Sequence, residues 1–118
     1  MNKVFLTIVI PTYNRANKLN RLLNLLFEQI SDEKLSDFIN VLVSDNNSTD
    51  NTRVICDKYS KYINFEYFFN STNIGFDKNI IKSYQSVKSE YVWFFADDDI
   101  PKSNSIHTIY KTLKSSLP

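Results

Sequence analysis

Three consecutive carboxylates, Asp97-Asp98-Asp99, follow the run Tyr91-Val92-Trp93-Phe94-Phe95-Ala96. Adjacent carboxylates repel and raise one another's pKa values. Their place at the end of an apolar, aromatic run therefore calls for a compensating positive charge. A hard divalent cation would supply it, because carboxylate oxygen is the ligand type for Mg²⁺ or Mn²⁺. Mg²⁺ usually takes one or two protein carboxylates and fills its shell with water and phosphate oxygens. With no His or Cys beside it, the triplet reads as a metal and diphosphate site and not as a closed structural one. The competing reading is a cap, in which acids stabilise the next turn or helix N-terminus through its dipole.

Asp45 is the next candidate. An Asp at a strand end can accept hydrogen bonds from a base or a ribose, or it can open an Asx-turn into the cluster Asn46-Asn47-Ser48-Thr49-Asp50. Taken alone, the turn is the better reading. Arg15 and Lys78 have the charge to balance a diphosphate, although single basic residues are more often solvated surface. His107 is the only histidine, so it reads as structural or surface. Cys56 is the only cysteine, which leaves no internal disulfide and no Cys-based metal set.

The elements that must position these groups follow from periodicity. Val4 to Ile10 is short and β-branched, bounded by Pro11, and reads as a buried strand. Leu19, Leu22, Leu23, Leu26 and Ile30 share one helical face. Ile39 to Val43 is a second strand. A helix from about Asn51 to Tyr62 is expected to turn Val54, Ile55, Tyr59 and Tyr62 inward. Phe65 to Phe69 is a third strand, and Phe76, Ile80, Tyr84 and Val87 mark a third helix. Tyr91 to Phe95 is a fourth strand, and Ile106, Ile109, Tyr110 and Leu113 mark a last helix. Four strand-helix pairs imply an α/β fold, a mostly parallel four-stranded sheet with helices on both faces. In such sheets ligands bind beyond the carboxyl ends of the strands. Thr12 to Arg15, Asp45 and Asp97 to Asp99 all fall at those ends.

Composition narrows the function. The chain has 118 residues, 42% apolar and 23% charged, which fits one folded domain with one core. A net charge of +1 gives no bulk attraction to nucleic acid. No apolar run approaches the roughly 20 residues that span a bilayer. The single glycine, Gly75, excludes both G-x-G-x-x-G and the P-loop.

Four stretches in this order resemble the N-terminal half of a family 2 inverting glycosyltransferase with the GT-A fold. They are TIVIPTYNR (Thr7 to Arg15), VLVSDNNSTDNT (Val41 to Thr52), NIGFDKN (Asn73 to Asn79) and YVWFFADDDI (Tyr91 to Ile100). The last resembles the strand that ends in the family's D-x-D metal motif. The resemblance covers almost the whole chain and implies a Rossmann-like half-domain that binds a nucleotide-diphosphate sugar and Mg²⁺ or Mn²⁺. It places Pro11, Thr12, Tyr13 and Arg15 around base and ribose, Asp45 on the base, and Lys78 near the nucleotide. Asp97 and Asp99 would form the D-x-D pair, the first towards the ribose and the second on the metal. Ala96 stands where the family often has an acid, which leaves Asp97 and Asp98 interchangeable in role. Asn46 and Asn47 replace the usual acid and glycine after Asp45.

The family's catalytic base lies well after its D-x-D motif, and this chain ends at Pro118. The expectation is therefore a single donor-binding domain, 1–118, cut from a longer enzyme that makes bacterial polysaccharide or glycolipid. Its acceptor would be a saccharide or a lipid-linked one. A cytoplasmic setting fits the lone Cys56, and the parent enzyme would sit peripherally at the inner membrane face. A last strand left unpaired would invite self-association. Two rivals carry other functions. A phosphoacceptor signalling domain also gathers acids around Mg²⁺, but would carry them after the first strand, which here ends in Pro11-Thr12-Tyr13-Asn14. A non-catalytic interaction module would keep the fold and bind neither nucleotide nor metal.

Overall fold

The structure is a computed structural model that describes residues 4–115. Its elements alternate: β1 (Leu6–Thr12), α1 (Ala16–Asp32), β2 (Ile39–Asp45), α2 (Thr52–Tyr59), β3 (Phe65–Phe69), α3 (Phe76–Gln85), β4 (Tyr91–Phe94) and α4 (Ser105–Ser115). The four strands form one sheet in the order β3-β2-β1-β4, with every neighbouring pair parallel. From β1 the chain moves outward through β2 and β3, then crosses back to β4 on the other side. Strand order therefore reverses between β1 and β4, the place where such sheets bind ligands.

The expected strand limits shift at β1. It runs through Pro11 to Thr12, in register with Ser44 and Asp45 of β2. Proline lacks the N–H that a central strand needs. Here Thr12 bonds towards β2, through the Asn46 N–H, and Val9 bonds towards β4, through the Phe95 N–H. Alternation turns the Pro11 nitrogen towards β4, whose pairing with β1 has already ended at Val9–Phe94. The missing donor costs nothing, and the two strands part at that level.

Most of the core lies on one sheet face. Leu6, Ile8 and Ile10 of β1 and Ile39, Val41 and Val43 of β2 pack there against α1, α2 and α4. All five leucine and isoleucine positions expected on α1 are fully buried, each contributing about 1.5–3 kcal/mol. On α2 the buried apolar residues are Ile55, Cys56 and Tyr59, whereas Val54, expected inward, is 59% exposed. The helix stops at Tyr59, short of Tyr62, which instead stacks on Phe27 of α1 with ring centroids 4.2 Å apart.

The opposite sheet face carries α3. Its expected apolar face does not turn inward: Phe76 and Tyr84 are 70% and 59% exposed. The buried residues are Asn79 and Ser83. Asn79 accepts from the Ser44 hydroxyl at 2.8 Å and donates to the Ser44 carbonyl at 3.0 Å. Polar contacts to β2 thus decide the helix's rotation, and its apolar side faces a cavity and solvent.

Candidate functional site

A cavity of about 850 Å³ opens at the carboxyl ends of the strands, where β1 and β4 part. One wall is the segment after β1, with Pro11, Thr12, Tyr13 and Arg15. The facing wall is the end of β4 and its loop, from Phe94 to Asp98. The third side comes from the loop into α3 and its first turns, including Asn73, Gly75, Phe76 and Asn79. Asn46, just past β2, also lines it.

The positive partner of the acids is Arg15. Its guanidinium lies 3.7 Å from Asp97 and 3.4 Å from Asp98. Asp97 is buried, and its Oδ2 accepts from the Thr12 hydroxyl at 2.9 Å. Burial pushes the Asp97 carboxyl above its ordinary pKa, and the Thr12 hydrogen bond and Arg15 charge pull only partly against it. Asp98 is exposed on the rim. Asp99 takes the capping role: its Oδ2 accepts from the Ala96 N–H at 2.8 Å, closing a turn in which the Asp99 N–H also donates to the Ala96 carbonyl. The triplet therefore splits into one buried acid, one rim acid and one turn acid.

Of the residues expected at a site, Pro11, Thr12, Tyr13, Arg15, Asp97 and Asp98 come together around the cavity. Asp45, Lys78 and Asp99 are not in its wall. Asp45 alternates with Asn40, Leu42 and Ser44 along β2, so its side chain points to the face packed by α1, α2 and α4. It is 1% exposed. One carboxylate oxygen accepts from the Ser48 N–H and hydroxyl, at 2.9 and 2.6 Å, and the other from the Tyr67 hydroxyl at 2.6 Å. The Asx-turn reading of Asp45 is the arrangement present. Lys78 lies exposed on α3.

Charge chemistry alone did not single out Asn46, Asn73, Gly75, Phe76 or Asn79. Their signal was the lone glycine between asparagine-rich stretches. Gly75 has φ 90° and ψ 159°, a region that only glycine enters freely. The turns that carry the wall are braced from behind. Asn14 Oδ1 accepts from the backbone N–H groups of Thr49 and Asp50. Asp50 accepts from Ala16 and from Thr52, serving the starts of both α1 and α2. Burial works against the ionised form of Asp50, but these hydrogen bonds outweigh it and hold its carboxyl below the usual range.

Among the described residues, no three of His, Cys, Asp and Glu stand together as a ready metal cage. The donor chemistry still suits a cation that takes few protein ligands: Asp97 and Asp98 present carboxylates on the wall, and Asp99 is one residue further on. His107 lies 3.1 Å from Glu33, on the α1–α4 side. Buried Cys56 has its thiol pushed up to about 12 by burial and the nearby Asp45 and Asp57 charges, so it is a core residue and no nucleophile.

The sequence profile described as glycosyl transferase family 2 matches residues 7–116. The abequosyltransferase RfbV of Salmonella typhimurium is 34% identical over 114 residues, which cover 95% of this chain and 33% of that protein. TarS 1-349 of S. aureus in complex with UDP-GlcNAc superimposes with a TM-score of 0.84 at 26% identity, over 95% of this chain and 32% of that one. The mannosyltransferase PcManGT from Pyrobaculum calidifontis, in complex with GDP-Man and Mn²⁺, gives 0.81 at 20% identity, over 100% and 34%. The chain thus spans about a third of the length of these relatives. It belongs to glycosyl transferase family 2, and its four parallel strands and flanking helices are those of the GT-A fold.

Proposed function

We propose that this chain is the donor-binding part of a glycosyltransferase, taking a nucleotide-diphosphate sugar with Mg²⁺ or Mn²⁺ for inverting transfer in bacterial polysaccharide or glycolipid synthesis. The observation that carries this reading is the meeting of Thr12, Arg15, Asp97 and Asp98 at one cavity where strand order reverses. Family membership and the likeness to a chain that holds UDP-GlcNAc support it.

In this reading Pro11, Thr12 and Tyr13 line the base and ribose pocket, with Tyr13 offering a half-exposed ring as a stacking face. Arg15 is free to turn to the diphosphate once a cation takes its place between the acids, since an arginine fork suits phosphate oxygens. Asp97 and Asp99 would hold the cation, Asp99 by releasing the Ala96 N–H. When bound, the cation would offset the charge that grows on the leaving diphosphate. Asp45 acts from behind the wall, fixing the turn after β2, and Lys78 borders the nucleotide from α3. The catalytic base and the acceptor site, for a saccharide or a lipid-linked acceptor, belong to the whole enzyme and are assigned to no residue here.

Among the described residues no helix is long and apolar enough to cross a membrane. A peripheral place at the inner membrane face is proposed for the parent enzyme. Self-association is proposed through β4, which is an edge of this sheet. The donor reading is tested by thermal unfolding with a panel of UDP-, GDP-, CDP- and dTDP-sugars plus Mn²⁺. One nucleotide class should raise the melting temperature, and a flat response to all of them would end the reading.

A further inference from the structure

At one side of the cavity lies a group of buried amides that the donor reading leaves without a task. Asn46, Asn70 and Asn79 are 4%, 3% and 2% exposed. Asn46 is the hub. Its Nδ2 donates to Asn73 Oδ1 at 2.9 Å and to the Gly75 carbonyl at 3.1 Å. Its Oδ1 accepts from Asn70 Nδ2 at 3.1 Å and from the Ile74 N–H at 2.9 Å. A primary amide has two N–H donors and an oxygen with two lone pairs, so all four capacities are used. Asn70 and Asn79 continue the network to Ser44 and to Lys82.

Three of the four bonds reach the segment from Asn73 to Gly75, which runs straight into Phe76 and forms one side of the cavity. That segment lies in no strand or helix, so side-chain bonds must fix its path. Within the segment, the Gly75 N–H donates to Asn73 Oδ1 at 2.8 Å. We propose that Asn46 is a positioning residue: its amide clamps the Asn73–Gly75 loop and so sets the wall against which the donor nucleotide lies. The proposal rests on the donor reading above.

The clamp makes a demand that shape does not. It needs two donors facing Asn73 Oδ1 and the Gly75 carbonyl. Asn46→Asp keeps the size and the oxygen that takes Asn70 and Ile74, but sets a carboxylate oxygen against two acceptors. The loop should lose its hold on the Asn73 and Gly75 side only. Asn46→Ala should free Ile74 as well. A general loss of stability would instead loosen amides across the whole domain.

The experiment measures amide hydrogen exchange by NMR, without nucleotide, on wild type, Asn46→Asp and Asn46→Ala, followed by titration of each with UDP, GDP, CDP and dTDP plus Mn²⁺. Expected for Asn46→Asp are faster exchange at Gly75 with Ile74 still protected, strands unchanged, and roughly tenfold weaker binding of the nucleotide that wild type accepts. If Asn46→Asp does not fold, exposed Asn73→Ala removes one acceptor, and should loosen Gly75 and weaken binding by a smaller factor. Unchanged Gly75 exchange, or unchanged affinity in the folded variant, overturns the clamp while leaving the donor reading intact. If wild type binds none of the four nucleotides, the donor reading falls, and the clamp's role for a nucleotide falls with it.

Discussion

The Thr12 hydroxyl donates to the Asp97 carboxylate across 2.9 Å, tying together the ends of two parallel strands 85 residues apart. Asp97 is largely withdrawn from water, so this donor compensates a charge that solvent reaches only in part. Thr12→Val keeps the branched shape and removes the donor. It should cost about 1.5–3 kcal/mol, the scale of a hydrogen bond to a charged group. Urea unfolding of a double-mutant cycle with Asp97→Asn checks this, because the cost should shrink when the charge is gone. An equal cost in both backgrounds would mean that Thr12 matters only through packing.

Arg15 bridges Asp97 and Asp98. A cation entering the acids must displace it. Arg15→Gln should therefore bind Mn²⁺ alone more tightly than wild type, by no more than about fivefold, because the pair is half exposed and screened. The same variant should bind nucleoside diphosphate more weakly. Titration of Mn²⁺ by electron paramagnetic resonance separates the two effects, and weaker binding of Mn²⁺ alone would contradict the competition.

Tyr67 donates to Asp45 at 2.6 Å. Burial, then the bond to Asp45 and its charge, push the Tyr67 phenol above its ordinary pKa. The folded chain holds a proton that the unfolded chain releases near pH 10. This stabilisation is complete below that pH and is lost as pH rises beyond it. Unfolding free energy should fall as pH rises above about 10, and Tyr67→Phe should flatten part of that fall. Tyr59 and Cys56, both also raised by burial, contribute to the rest. An identical slope in Tyr67→Phe would remove Tyr67 from the account.

Gly75→Ala tests backbone strain alone. A Cβ built there meets nothing within 4 Å, so any penalty comes from φ 90°. The cost should be about 1–3 kcal/mol, and nucleotide binding should weaken as the loop relaxes. Chemical denaturation and a binding isotherm on one preparation would measure both. Full stability with full affinity would mean that the loop tolerates another path.

Much of this fold was readable from residue order. Phe65 to Phe69 is a strand at the limits that its run of aromatic residues suggested, and α1 buries each residue on its 3.6-residue face. Periodicity misled at α3. There the apolar stripe Phe76, Ile80, Tyr84 gives way to Asn79 and Ser83, because buried polar partners on β2 need amides. Charge after an aromatic run made the three acids conspicuous as candidates, and Asp97 and Asp98 meet Arg15 at one cavity. Asp45 was a candidate too, but alternation along β2 turns it to the face packed by α1 and α2, and its neighbour Asn46 meets the cavity. Hydrogen-bond saturation of that kind leaves no mark in composition or spacing.

The central claim is that Asp97 to Asp99 bind a divalent cation together with a nucleoside diphosphate. Protein carboxylates alone leave an octahedral shell incomplete, and phosphate oxygens finish it. Binding of the two should therefore be coupled by about 1–3 kcal/mol. The direct measurement is calorimetric titration of UDP, GDP, CDP and dTDP into the wild-type chain, in Mn²⁺ and in EDTA, repeated with Asp99→Asn. The account predicts that one of them binds at least about fivefold more tightly with Mn²⁺, and that Asp99→Asn keeps the fold but loses this gain. Equal affinity in Mn²⁺ and EDTA, or no binding of any of the four, would contradict it.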